Sequence, residues 1–344
     1  MASAETLWSK WKPWWLSAAA GALLGCMYRL TFDPIWGKSG HALIMTLAFL
    51  AILPFCMGYI AVDTYLRRTT ETDVAWYRWF FLPWLSVLIT IAVSIAVKWE
   101  GLICVVFAAP LMLVASALGG ATARAVSRSW KHPAPGAVGA FALPLLAMLI
   151  ESHVPSPLQI RTVETDMLVH APAAIVWENI RSVRAIAPSE LPDSWVNRIG
   201  FPKPVAATLS HEGKGGVRDA TFTGGLVFTE TITEWRPESD LEFSIRANTQ
   251  SIPASTLDEH VTIGGAFFDV LEGEYQLEKR PDGVLLRLIS RERVSTHFNP
   301  YAGAWSDAVM RSIQKQILQV IRRRCEMRIY APSAAVAPDA DSAG

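Results

Sequence analysis

The chain has no excess of either charge. Its 31 Lys and Arg balance 31 Asp and Glu over 344 residues, so no basic field invites nucleic acid. Cysteine is scarce, with four in all, and none stands in a CxxC pair or at a zinc-like spacing. Cys26, Cys56 and Cys104 fall inside apolar runs, and Cys325 is alone further on. A disulfide framework and a metal site are both disfavoured by that scatter. Catalytic fingerprints are missing too. His211-Glu212 is not followed by the second His of a zinc protease. Gly37-Lys38-Ser39 lacks the upstream glycine of a phosphate loop, and no helix follows the turn at Gly213, Gly215 and Gly216. There is no GxSxG elbow, no Ser-His-Asp set, and nothing that calls for a cofactor.

Charge is also missing locally, and that absence is informative. Ten of the fourteen tryptophans precede residue 131, among long uncharged stretches. A hydrocarbon core takes roughly 17–25 helical residues, and five segments qualify: 13–32, 41–62, 78–98, 101–123 and 135–152. The first is too long an apolar run for a secretory leader, and more spans follow it. Tryptophans such as Trp8, Trp36, Trp76, Trp99 and Trp130 gather near the segment ends, where aromatic belts form. Pro54, Pro83, Pro110 and Pro144 each interrupt one segment. In an exposed soluble helix each would cost about 3 kcal/mol, whereas a membrane bundle tolerates them. The reading is an integral membrane region over 1–152, an all-α bundle of about five spans.

Lys and Arg in the short loops number eight on the amino-terminal side and four on the other. That bias puts the N-terminus in the cytoplasm and, with five spans, the remainder of the chain outside it. The ionisable groups Arg29, Asp63, Arg78, Lys98 and Glu100 fall at span ends. None is at mid-membrane, where ion pathways place theirs. Anchoring, or packing against another membrane protein, is the expected role. Gly119-Gly120 would permit close helix contact.

Past a short linker, 153–161, the pattern becomes mixed and alternating. Residues 162–170 read as a strand, and Pro172 opens a helix to about Ser182 with Val176, Trp177 and Ile180 on one face. A proline-rich loop follows. Strands are expected at 216–223, 226–235, 240–248, 267–279 and 284–294. Gly224-Gly225 marks a hairpin, and turns fall at 236–239 and 281–283. One long helix closes the fold over about 300–329, with Trp305, Val309, Ile313, Ile317, Ile321 and Cys325 as an apolar stripe. The Ala/Pro/Asp/Ser-rich tail 331–344 is expected to be disordered.

A strand, a short helix, a run of antiparallel strands and a long C-terminal helix resemble the helix-grip fold of the START-like or SRPBCC superfamily. The residues that carry the resemblance include VHAPAAIVWENI at 169–180, GKGGVRDATFTGG at 213–225, FTETITEWRPESDLEF at 228–243, GGAFFDVLEGEYQLE at 264–278 and NPYAGAWSDAVMRSIQKQIL at 299–318. The likeness covers 162–330 and leaves out the membrane part. It implies an α+β domain, a curved antiparallel sheet wrapped on the C-terminal helix, with a cavity between them for a hydrophobic small molecule. Members include polyketide cyclases, aromatases and lipid-transfer proteins, so fold alone does not choose an activity.

Strand alternation suggests what would line that cavity. Leu241, Phe243 and Ile245 share a face. Leu286 and Leu288 share one with Ser290. Phe267, Leu271, Tyr275 and Leu277 share one that also carries Asp269, which a bulge would turn outward. Phe228 and Ile232 bracket Glu230, and registers about the glycine turn bring Arg218 opposite Glu230. An Arg218–Glu230 pair facing the cavity is the sharpest expectation, either as a ligand contact or as an ion pair that fixes register. Tyr275 and Trp305 are expected in its wall, and His297 near its mouth or on a surface turn. Three functions stay open. One is binding of a lipid or other apolar ligand at the membrane. Another is cyclase or dehydratase chemistry using Glu230, Asp269 and Tyr275. The last is a sensor or protein-interaction domain whose cavity is vestigial.

Overall fold

The computed structural model describes residues 4–36, 45–69, 75–129, 136–248 and 263–330. Gly37-Lys38-Ser39, the opening of the second expected span and the tail 331–344 lie outside the described residues. The chain divides into two units. Of the described residues, the first comprises those up to Gln159 together with Ser295–Ala302, and the second holds the rest.

The apolar segments of the first unit form helices: α1 (Ala4–Trp36), α2 (Ala48–Arg68), α3 (Trp76–Ala96), α4 (Leu102–Ser129) and α5 (Gly136–Glu151). Three of them, α2, α3 and α4, are long and apolar enough to cross a membrane. Among the described residues the structure therefore shows three such helices where the sequence reading expected five spans. Helix α5 has only 16 residues, short of a hydrocarbon core, and Ser17, Gly21, Gly25 and Arg29 dilute α1. Pro83, Pro110 and Pro144 sit inside their helices. Pro54 follows a wide π turn at Ala48–Ile52. A residue without an N–H breaks the regular ladder, and a π turn is one way to absorb the break.

Helices α2 and α4 approach closely because glycine faces backbone on both sides. A Cβ on Gly58 would lie 2.0 Å from the Ser116 carbonyl oxygen, and one on Gly119 would lie 1.9 Å from that of Phe55. Leu53, Met57, Leu82 and Val87 fill the interior. At the α1 end, the buried Arg29 donates to Glu100 at 2.9 Å and to the Trp99 carbonyl at 3.0 Å.

The second unit is a seven-stranded antiparallel sheet in the order β1-β7-β6-β5-β4-β3-β2. Its strands are β1 (Leu158–Val169), β2 (Pro204–Leu209), β3 (Val217–Phe222), β4 (Val227–Arg236), β5 (Asp240–Asn248), β6 (Phe268–Arg280) and β7 (Gly283–Ser295). Helices α6 (Ala173–Arg181), α7 (Trp195–Arg198) and α8 (Asn299–Tyr330) complete it. Strand β2 and helix α7 occupy the stretch that the sequence reading left as a proline-rich loop. Gly224 and Gly225 turn β3 into β4 at φ 77° and 84°, values that other residues reach only with strain. The core joins Val176, Trp177 and Ile180 of α6 to Leu241, Leu286 and Leu288 of the sheet and to Leu318, Ile321 and Cys325 of α8.

A bulge in β6 changes one expected face. The register runs Val270 opposite Glu292 and then Glu272 opposite Arg291, so Leu271 is the extra residue. The bulge reverses the alternation. Tyr275 and Leu277 stay on the buried face, while Asp269 pairs with Arg293 on the opposite one. Asp269 therefore does not share a face with Tyr275, contrary to the expectation from alternation.

Candidate functional site

The inner face of the sheet is built row by row. Arg218 on β3 stands directly opposite Glu230 on β4, which stands opposite Ile245 on β5. The next row runs Ile232, Phe243, Gly273 and Ser290. Gly273 is needed there, because a Cβ at that position would come within 2.4 Å of the Phe243 ring. A further row brings Leu241, Tyr275 and Leu288 together.

Arg218 is the centre of this face. It is buried and donates from Nε to Glu230 Oε2 at 2.5 Å and from Nη1 to the Ile180 carbonyl at 2.5 Å. Its guanidinium carbon lies 4.4 Å from the centroid of Phe243 and 5.6 Å from that of Tyr275. Those two rings are themselves 6.1 Å apart. Burial opposes the charge on Arg218, and Glu230 and Tyr275 more than offset it. Burial pushes the Glu230 carboxyl up, with Arg218 pulling the other way. The same burial pushes the Tyr275 phenol up to about 12, which disqualifies it as a base near neutrality. The cluster is thus a mutually neutralised ion pair roofed by two aromatic rings.

Of the other expected residues, Ser290 lies on the same buried face and accepts from Gln314 Nε2 at 3.0 Å. Gln314 also donates to the Val163 carbonyl at 3.0 Å and accepts from Thr165 Oγ1 at 2.7 Å. Trp305 is half-buried on α8, 6.4 Å from the Trp195 ring. Asp269 lies on the other face, where burial raises its carboxyl against the pull of Arg293. His297 belongs to the first unit. Its Nδ1 is 2.9 Å from Glu151 Oε1 and its Nε2 is 3.1 Å from the Val154 carbonyl. The structure therefore brings Arg218, Glu230, Phe243 and Tyr275 into one cluster, sets Ser290 on the same face, and separates Asp269 and His297 from it.

One buried acid escaped the sequence reading. Glu292 on β7 is wholly buried. Ser306 Oγ donates to its Oε1 at 2.5 Å, while Oε2 has no partner among the described residues. Burial pushes this carboxyl up to about 7, against the Ser306 hydrogen bond. The signal was available, since Glu292 lies two residues beyond Ser290 on the same alternating face. Among the described residues no three His, Cys, Asp or Glu side chains are grouped to hold a metal ion.

No family model and no curated protein matches the chain. Solved structures do. An AHSA1-like protein from Aeromonas hydrophila is 11% identical over 52% of this chain and 100% of that one, at a TM-score of 0.31. The Aha1 dimer protein from Colwellia psychrerythraea is 14% identical over 48% and 97%, at 0.28. DynU16, from the dynemicin biosynthetic locus, is 15% identical over 48% of each chain, at 0.29.

Proposed function

We propose that the second unit binds a largely apolar small molecule of lipid character between the inner face of the sheet and α8, and that the apolar helices of the first unit hold it at a membrane. The observation that supports this reading is the Arg218–Glu230 pair among Phe243, Tyr275 and Ile232. Burying such a pair costs several kcal/mol per ion and seldom adds net stability. A few polar groups set in an apolar wall are what orient an apolar guest. Because the pair cancels its own charge, the wall suits a neutral molecule. Lipids reach a membrane-held domain through the bilayer, so anchoring raises their local concentration.

Cyclase-type chemistry is the second reading, and one observation favours it. Burial holds the Glu230 carboxyl above its ordinary range, as a general acid requires. Against it, Arg218 sits 2.5 Å away and Tyr275 is too weak an acid to exchange protons readily.

The test is native mass spectrometry of the full chain released from detergent micelles, after expression and after exposure to a lipid extract. The expected result is a stoichiometric apolar species that is lost when Arg218 and Glu230 are both replaced by Met in a protein that still melts cooperatively. A chain that carries nothing, and takes up nothing from the extract, would overturn the proposal.

A further inference from the structure

The inner face has a second polar position, and it is not satisfied from within. Glu292 lies opposite Val270 on β6 and is wholly buried. Its surroundings are accounted for group by group. Ser306 donates to Oε1. Arg161 on β1 is the nearby cation, but Asp307 holds it through two bonds, Nε to Oδ1 at 2.9 Å and Nη2 to Oδ2 at 2.7 Å. Arg311 on α8 is also turned to Asp307, at 3.8 Å. Among the described residues no donor is left for Oε2. A buried carboxylate oxygen without a donor forfeits roughly 1–3 kcal/mol, more when charged. Native structures rarely leave such an atom unpaired.

From this geometry we infer that Glu292 Oε2 accepts a hydrogen bond from the head group of the bound molecule, so that the ligand ends in a hydroxyl or amine donor and carries no anionic head. The inference rests on the ligand-binding reading above and narrows it. A carboxylate or phosphate head would bring a second negative charge against Glu292, with the neighbouring arginine already engaged. An alcohol supplies the missing donor and adds no charge. Glu292 and the Arg218 cluster would then divide the work, the first selecting the head and the second bordering the apolar body.

The experiment compares two probes of equal chain length, 1-dodecanol and dodecanoic acid, on the full chain in detergent at pH 8.5 by native mass spectrometry. The wild-type chain should retain the alcohol at least tenfold better than the acid. Glu292→Gln can no longer repel the acid and can donate to it, so the ratio should fall about tenfold. Ser306→Ala, which leaves the carboxylate in place, should keep the preference for the alcohol. If both probes bind with a ratio that Glu292→Gln and Glu292→Leu leave unchanged, while those variants alter only the melting temperature, the head-group role is overturned and the ligand-binding reading stands. If the wild-type chain retains neither probe and no lipid, both are overturned together.

Discussion

A guanidinium keeps its proton at any pH a folded protein survives, so Arg218 depends wholly on its acceptors. Removing the charge of Glu230 as Glu230→Gln leaves a buried cation with only neutral partners, the new amide oxygen, the Ile180 carbonyl and two rings. The expected loss is about 3–5 kcal/mol, read by urea titration of the full chain in detergent. Replacing both partners by Met should cost far less, because no charge is then stranded. Glu292 makes the opposite kind of demand. Its folded carboxyl, at about 7, lies above its ordinary value, so the folded state holds the proton more firmly than the unfolded one. The corresponding stability is complete below about pH 4.5 and is lost as pH rises through 7. In the absence of ligand, the wild-type chain should gain roughly 2–3 kcal/mol between pH 8 and pH 5 relative to Glu292→Gln. A parallel pair of melting curves would refute this. At this scale the sequence was legible wherever strict alternation held. Arg218 and Glu230 could be paired because both flank one glycine turn. Asp269 was misplaced because a single inserted residue, Leu271, inverts the face, and no side-chain chemistry nearby announces it.

Elements were legible in proportion to their periodicity. The long stripe of α8 and the alternating strands β4, β5 and β7 agree with expectation to within a residue or two. Strand β2 was missed because Pro202 and Pro204 read as breakers. Pro204 is the first residue of an edge strand, a place where the missing N–H costs no ladder bond. The tie between α8 and the loop before α7 was also hidden, because its partners are far apart in sequence. Arg324 donates to both carboxylate oxygens of Glu190, at 2.7 and 2.9 Å, and to the Arg184 and Ala185 carbonyls. That hydrogen bonding holds the Glu190 carboxyl down at about 2, so its contribution is present above pH 4.5 and is lost as pH falls toward 2. Glu190→Gln should cost about 1–2 kcal/mol at pH 7, allowing for partial solvent access, and nothing near pH 2. In the first unit, Gly58→Val would drive a side chain into the Ser116 backbone. Separation of α2 from α4 should follow, seen as a loss of monodisperse protein on detergent extraction, while Gly139→Val, with nothing within 4 Å, should be tolerated.

At the scale of the whole chain, hydropathy separated the apolar unit from the sheet-bearing one, but the number of crossings depends on two marginal helices. Helix α5 is short, and α1 carries a buried arginine that answers Glu100. Parity makes the question testable. If α2, α3 and α4 alone cross, or if α1 and α5 cross with them, the number is odd and the second unit faces away from the N-terminus. If only one of the marginal helices crosses, the number is even and both lie on one side. The loops after α2 and after α4, with Arg67, Arg68, Arg78, Arg124, Arg128 and Lys131, fall on one side in each of these arrangements, so the positive-inside rule predicts the second unit on the outer side when α5 crosses, as in the five-span reading, and on the cytoplasmic side when it does not. Cys26, Cys56, Cys104 and Cys325 are half-buried or buried, which leaves room for a reporter at the exposed Lys214 on the turn before β3. In Lys214→Cys, a membrane-impermeant maleimide added to intact cells should label the chain, and permeabilisation should add little. Labelling that appears only after permeabilisation would mean that α5 does not cross. It would also place the ligand face on the cytoplasmic side, where the lipids available to it are those of the inner leaflet.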